Sequence, residues 1–302
     1  MGADFVTLSL VPLLIAVLAA VACALPGNFL LLRRQAMMGD MMAHSVLPGL
    51  IVGFLLTGQV SGWVMFAGAG AAALVSALMV EAITKLARVD PGAAMGMTFT
   101  TMFASGVLLL ELSGASGVHL DVEHALYGNL ESLIWLDGTG WASLTDPVAL
   151  AGLPPEFGQL ALVAMVLAVL LLVFWRWLVM ASFDAGHAAV LGLPVGVISL
   201  GIVVATAVAS VAAFTAVGSI LTIAMLICPP AAARLLTNRL GVQVWLSLGF
   251  AAISAILGYV AAGYGPIWLG LSGAVSAAGM IAVVSGLLVA GAALFGPHRR
   301  AS

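Results

Sequence analysis

Charge is what this sequence has least of. Asp, Glu, Lys and Arg together make up 7% of its 302 residues, against about 25% in an average soluble domain. Hydrophobic residues make up 63%, and mean hydropathy is +1.23. A water-soluble fold of this composition would expose far too much apolar surface, so a soluble globular protein is excluded. Cysteine is also scarce. Cys23 and Cys228 both lie in apolar runs, which excludes a disulfide framework or a cysteine zinc motif. No GxxxxGK[ST] occurs, so the chain has no P-loop to cradle ATP phosphates. No HExxH occurs either: DMMAH (40–44) lacks the glutamate and the first histidine, which argues against an intramembrane metalloprotease. No repeat of 20–50 residues is visible. The opening MGADFVTLSL carries an acid and no Lys or Arg. It lacks a basic n-region, so we expect it to be part of the fold rather than a cleaved signal.

What is present is a series of long apolar runs. Cutting at charges, Gly/Pro turns and polar clusters predicts spans at 8–32, 40–57, 62–82, 94–111, 157–178, 196–213, 217–236, 243–262 and 273–295, each of the ~20 residues a bilayer requires. The sixth and seventh are the hardest to divide, and Thr215 to Gly218 is the best break. The expected fold is an all-α, polytopic transmembrane bundle of about nine spans, one domain over 1–302. With nine spans, Arg33, Arg34, Lys85, Arg88, Arg176, Arg234, Arg239, Arg299 and Arg300 fall on one side. The positive-inside rule makes that side cytoplasmic, with the N-terminus outside and the C-terminus inside. Eight of the twelve acids then lie outside. An acidic vestibule would concentrate cations, although outer loops generally lack Lys and Arg. The largest non-spanning piece, 112–156, reads as an outer loop or cap. In ASFDAGHAAVLGLPV (181–195), Asp184 suits an N-cap, and Gly192 with Pro194 supply the stop of a short inner helix.

Two expensive groups interrupt the second span. Asp40 and His44 stand four apart in MMGDMMAHSVLPG (37–49), so on a helix they share one face. Gly49, which begins the small pair GLIVG with Gly53, falls about 180° from Asp40. One face can therefore pack against a neighbour while the other presents carboxylate and imidazole. That donor pair suits Mn²⁺, Zn²⁺ or Fe²⁺. Two ligands do not complete a site, but a two-fold dimer would supply four. The alternative is a self-neutralising Asp–His pair near the interface, supported by Arg33 and Arg34. Farther on, Pro229 and Pro230 sit inside LTIAMLICPPAAARLL (221–236). They predict a break lining a substrate route, or else a plain structural kink.

Together these pieces resemble the metal-type ABC permease family, the membrane subunits of bacterial manganese, zinc and iron importers. The matching stretches are LLRRQAMMGDMMAHSVLPGLIVGFLL (31–56), VEHALYGNL (122–130), ASFDAGHAAVLGLPV (181–195) and VGSILTIAMLICPPAAARLL (217–236). The resemblance implies a multi-pass protein of the bacterial cytoplasmic membrane. Its partners would be a second permease copy, a cytoplasmic ATPase dimer, an extracytoplasmic metal-binding protein and membrane lipid, with no nucleic acid. Asp40 and His44 match the intramembrane metal pair, contributed by both protomers. Residues 182–194, with Asp184, His187, Gly192, Leu193 and Pro194, match the segment that docks on the ATPase. The expected cargo is Mn²⁺, with Zn²⁺ or Fe²⁺ as alternatives, and no resident cofactor. Asp121, Glu123 and His124 are weaker candidates for an outer metal relay, since solvated loop residues are commoner than ligands. The stretch after Asn129 is longer than the family's, and Cys228 with the double proline departs from its usual aliphatic residue and single proline. A competing hypothesis is an ion-coupled secondary transporter, which would carry inverted repeats and more intramembrane carboxylates.

Overall fold

The structure, a computed structural model, describes residues 5–57, 62–112, 130–268, 270 and 275–296. Among them there are helices and no strand. In lipid only intra-segment hydrogen bonds satisfy the backbone of a single span, so the apolar runs become helices. A π-helical turn at Val6–Leu10 leads into α1 (Val11–Leu32). The next three helices are α2 (Met37–Thr57), α3 (Gly62–Leu86) and α4 (Pro91–Leu112). The short α5 (Pro147–Ala151) precedes α6 (Pro155–Val173), α7 (Trp175–Phe183) and α8 (Ala185–Val190). The chain closes with α9 (Val195–Leu236), α10 (Leu240–Trp268) and α11 (Ala277–Phe295).

Eight of these helices are long and apolar enough to cross a membrane, where the sequence predicts nine spans. The difference lies in α9. Its 42 residues would extend about 63 Å if straight, twice the ~30 Å hydrocarbon core. Near its start, Ser199 accepts a 2.8 Å hydrogen bond from Arg33. Near its end, Arg234 donates to Gln243 at 3.4 Å, and Gln243 donates to Asn28 at 3.1 Å. Both ends of α9 therefore meet the same end of α1, which a straight helix cannot do. The chain folds back at Gly218, whose φ 80° and ψ 177° are non-helical. That conformation is essentially restricted to glycine. α9 is thus two crossings without a loop, joined within the break expected at Thr215–Gly218.

This geometry predicts a labelling result. In a background with Cys228 replaced by serine, Met37→Cys and Asn238→Cys should both react with an impermeant maleimide from the same side of the membrane. Labelling from opposite faces would mean that α9 crosses once.

α1 is the central helix. It is lined with Ala16, Ala19, Ala20, Ala22 and Ala24, all fully buried, and small residues let neighbouring backbones approach closely. It packs chiefly against both halves of α9, then against α10 and α6. α2 lies between α3, α4 and α9.

The described part of the 112–156 segment is folded as a cap. Trp135 is buried and donates its indole N–H to the Ala149 carbonyl at 2.8 Å. Its backbone N–H bonds the Thr7 carbonyl at 3.0 Å, and the Thr7 hydroxyl bonds the Gly138 carbonyl. Glu131 accepts from the Ala277 N–H at 2.7 Å, capping the N-terminus of α11, where a carboxylate is favoured. The cap thereby ties the starts of α1 and α11 together. Residues Asp121, Glu123 and His124, and most of VEHALYGNL, lie outside the described residues.

Candidate functional site

α2 starts after a tight turn in which Arg34 takes φ 56° and the Gln35 N–H bonds the Leu30 carbonyl at 2.9 Å. Asp40 falls in its first turn, where the helix dipole favours a negative charge. One turn on, His44 Nε2 lies 3.4 Å from Asp40 Oδ1, with the side chains 17% and 36% exposed respectively. An ion held ~2.0–2.1 Å from each atom would set them about 3.3–3.4 Å apart in tetrahedral geometry, and about 2.9–3.0 Å apart in cis-octahedral geometry. The observed spacing suits the first and needs only a small closure for the second.

The opposite face of α2 is closely packed through its middle turns, although Val52, Leu55 and Leu56 near its end are exposed. A Cβ added at Gly49 would lie 2.2 Å from the Gly68 carbonyl oxygen of α3, and one at Gly68 would lie 2.4 Å from the Gly49 carbonyl. Gly39 faces Leu226 of α9, where a Cβ would meet Cδ1 at 2.6 Å. Gly106 of α4 sits against Pro48, where its Cβ would meet Cδ at 2.9 Å. The glycine face and the Asp–His face are thus opposed, as the helical wheel predicts.

On the open side, α4 supplies an aromatic wall. The His44 ring meets Phe99 at 5.0 Å and 67°, and Phe103 at 5.8 Å and 87°. Both contacts are edge-to-face, a favoured aromatic geometry. The two phenylalanines stack on each other at 6.1 Å. The pair holds the imidazole so that Nε2 faces Asp40. Arg33 does not neutralise Asp40; its guanidinium reaches Ser199 instead. Half-burial pulls the Arg33 guanidinium below its ordinary value through desolvation. Among the described residues no group of three His, Cys, Asp or Glu comes together, so Asp40 and His44 stand there as a pair.

A match to the ABC 3 transport family covers residues 7–137 and 152–295. The chain belongs to that family. It is 40% identical over 281 residues to the manganese transport system membrane protein MntD of Bacillus subtilis, covering 93% of this chain and 90% of that protein. It is 37% identical over 216 residues to the zinc transport system membrane protein TroD of Treponema pallidum, covering 72% of this chain and 56% of that protein. Among solved structures it is similar to PsaBC from Streptococcus pneumoniae in complex with Fab. The TM-score is 0.77 at 26% identity, covering 96% of this chain and 92% of that one. This ABC 3 chain is a multi-pass protein of the bacterial cytoplasmic membrane and a transport subunit.

Residues 181–195 of the ABC 3 chain take the local structure that their sequence predicts, a short capped helix. Asp184 caps α8, accepting from the His187 N–H at 2.8 Å. Gly192 takes φ 79°, its N–H bonds Ala189, and the Leu193 N–H bonds Ala188. This Schellman pattern ends the helix. Pro194 then starts α9. Phe183, Val190 and Leu191 are exposed, so the segment presents apolar side chains.

The prolines correct one expectation. α9 runs on as helix through Pro229 and Pro230, and its interruption is at Gly218. Pro230 lacks the N–H that would bond the Leu226 carbonyl. That carbonyl instead lies against Gly27 of α1, where a Cβ would come within 2.2 Å of its oxygen. A neighbouring backbone thus covers the freed group, and Pro230 Cγ packs on the same glycine. Cys228 is half-buried and stands apart from Asp40 and His44 as a free thiol.

Sequence reasoning missed Phe99 and Phe103, which look like ordinary span residues. It also missed a buried polar chain. Asn28 donates to the Ala24 carbonyl and to Ser247, each at 2.7 Å, and it accepts from Gln243. All three side chains are fully buried, and an amide within an apolar run was its only signal. Replacing Phe99 by alanine should loosen the imidazole. We expect a several-fold rise in the KM for metal uptake with kcat little changed, and Phe99→Tyr should restore it. An equal fall in both parameters would place Phe99 in folding rather than in positioning.

Proposed function

We propose that this chain is the permease of an ATP-driven importer of a divalent transition metal, most readily Mn²⁺, with Asp40 and His44 as the transit site. One observation carries the reading. The two donors lie 3.4 Å apart, near ligand spacing, on the face of α2 opposite the one that Gly49 packs against Gly68. The 40% identity to a manganese transport protein supports the choice of metal. A second permease copy related by a two-fold axis completes four ligands, two Asp and two His. Asp184 to Pro194 dock on a separate ATPase, which supplies the energy that a chain without a P-loop cannot. An extracytoplasmic binding protein delivers the ion. With α9 counted as two crossings, all nine cations lie on one side, which supports a cytoplasmic C-terminus. The alternative, an ion-coupled secondary transporter, would carry more carboxylates within its spans than Asp40 in the first turn of α2 and Glu81 near the end of α3.

A zinc reading keeps a specific support: the near-tetrahedral spacing and the similarity to TroD. ATP-dependent uptake in proteoliposomes holding permease, ATPase and binding protein separates the readings. Manganese uptake that zinc does not outcompete is the expected result. Zinc uptake alone would reassign the metal, and uptake without ATP would overturn the ABC mechanism.

A further inference from the structure

We propose that α2, α3 and α4 form one body that turns about Arg34 against the rest of the bundle, and that the contact of Gly39 with Leu226 is a gate opened by this motion beside Asp40. The inference rests on the transport reading above. Packing divides the helices in two. α2, α3 and α4 pack on one another, and among the remaining helices they meet chiefly α9. α1, α9, α10 and α11 pack together as the larger body. Polar bonds brace that body: Asn28 donates to Ser247 at 2.7 Å, Gln243 to Asn28 at 3.1 Å, and Arg33 to Ser199 at 2.8 Å, joining α1, α9 and α10. In the smaller body, Gly49 and Gly68 press backbone on backbone, since a Cβ on either would lie within 2.4 Å of the other's carbonyl oxygen.

The seam between the bodies is built differently. Gly39, Ala43, Val46 and Leu50 recur along one stripe of α2, and all are buried. At its start Gly39 meets the Leu226 side chain, where an added Cβ would lie 2.6 Å from Cδ1. Leu226 belongs to the larger body, because Gly27 of α1 lies against its carbonyl and Pro230 packs on the same glycine. Its backbone is thus pinned to α1 while its side chain reaches across to α2. This contact is apolar, so it can part without leaving a hydrogen-bonding group unpaired. Strain marks the pivot. Among the described residues, Arg34 (φ 56°) and Arg88 (φ 54°) are the non-glycine residues at positive φ. Arg34 lies in the turn that joins the larger body to α2, and Arg88 in the turn from α3 to α4. Backbone held in that region concentrates at switches, and a few turn residues absorb the dihedral change of a hinge. Gly39 directly precedes Asp40, and His44 lies one turn on. A swing of α2 away from Leu226 therefore carries both donors with it and opens a path beside the carboxylate.

The test uses the assembled importer in proteoliposomes, with Gly39→Cys and Leu226→Cys in a Cys228→Ser background. A Cβ built at Gly39 lies 3.4 Å from the Leu226 Cβ, close to the separation in a disulfide, and the second substitution removes the crowding Cδ1. Oxidation should abolish ATP-dependent manganese uptake, and reduction of the same sample should restore it. Cross-linked protein that takes up manganese at the reduced rate would overturn the gate. Should the pair fail to assemble, Leu226→Cys alone decides. Its position is buried at 1% exposure. N-ethylmaleimide should react with it at rates differing about ten-fold between the nucleotide-free, ATP-bound and vanadate-trapped importers, since access governs thiol reactivity. Equal rates in all three states would overturn the proposal. An intact complex in which neither the wild type nor the reduced pair shows ATP-dependent uptake would instead sink the transport reading, and the labelling rates would still judge the seam.

Discussion

Asp40→Asn should lower ATP-dependent manganese uptake by at least about 10–100-fold, the loss seen even when outer partners of a metal site are removed. The substitution keeps the shape and removes the charge. Asp40 makes its contact with His44 and leaves the glycine packing of α2 to other residues, so the variant should still assemble with its ATPase. His44→Ala should lose uptake to a similar extent. The measurement is proteoliposome uptake beside size-exclusion of the assembled complex. Wild-type uptake by either variant would make the pair structural and end the transit-site assignment. Asp40→Asn removes no packing atom, so the complex should stay intact on size-exclusion; a lost complex would assign the effect to assembly and not to transit.

Gly218→Val should have the largest effect on folding. The residue is buried at φ 80° and ψ 177°, a backbone state that costs non-glycine residues about 1–3 kcal/mol, and a β-branched side chain adds crowding. For a chain of this size, the strain alone corresponds to a fall in Tm of about 2–5 °C, with part of the protein misassembled. Gly286→Ala on α11, where a Cβ would meet nothing within 4 Å, is the control and should leave Tm unchanged. Equal Tm values for Gly218→Val and wild type would contradict the fold-back described for α9.

How much of this was legible in the sequence varies with the range of the interaction. Local chemistry was readable. The caps at Asp184 and Gly192 follow from neighbouring residues, as does the opposition of Asp40 and Gly49 on one helix. The two crossings of α9 were also visible, because its length exceeds the bilayer and Gly218 lies in the expected break. Long-range compensation was hidden. Pro229 and Pro230 carry the sequence signal for a break, yet no residue near them shows that Gly27 covers the Leu226 carbonyl. Glu131 looks like one more outer acid until Ala277, far along the chain, supplies the N–H it accepts. Phe99 and Phe103 are indistinguishable from core residues until α4 is laid beside His44. Asp40 and His44 are two donors on one chain, and the sequence shows only that a two-fold dimer would double them.

The turn at Gly218 has a consequence for biogenesis. Successive spans usually require a polar loop to be carried across the bilayer between them. Here Ala216, Val217, Gly218 and Ser219 are all buried, so the apex brings almost nothing hydrophilic with it. The segment Val195–Leu236 can therefore enter the membrane as a preformed helical hairpin, both legs together. A ribosome stalled between the legs would hold a first leg that lacks its packing partner.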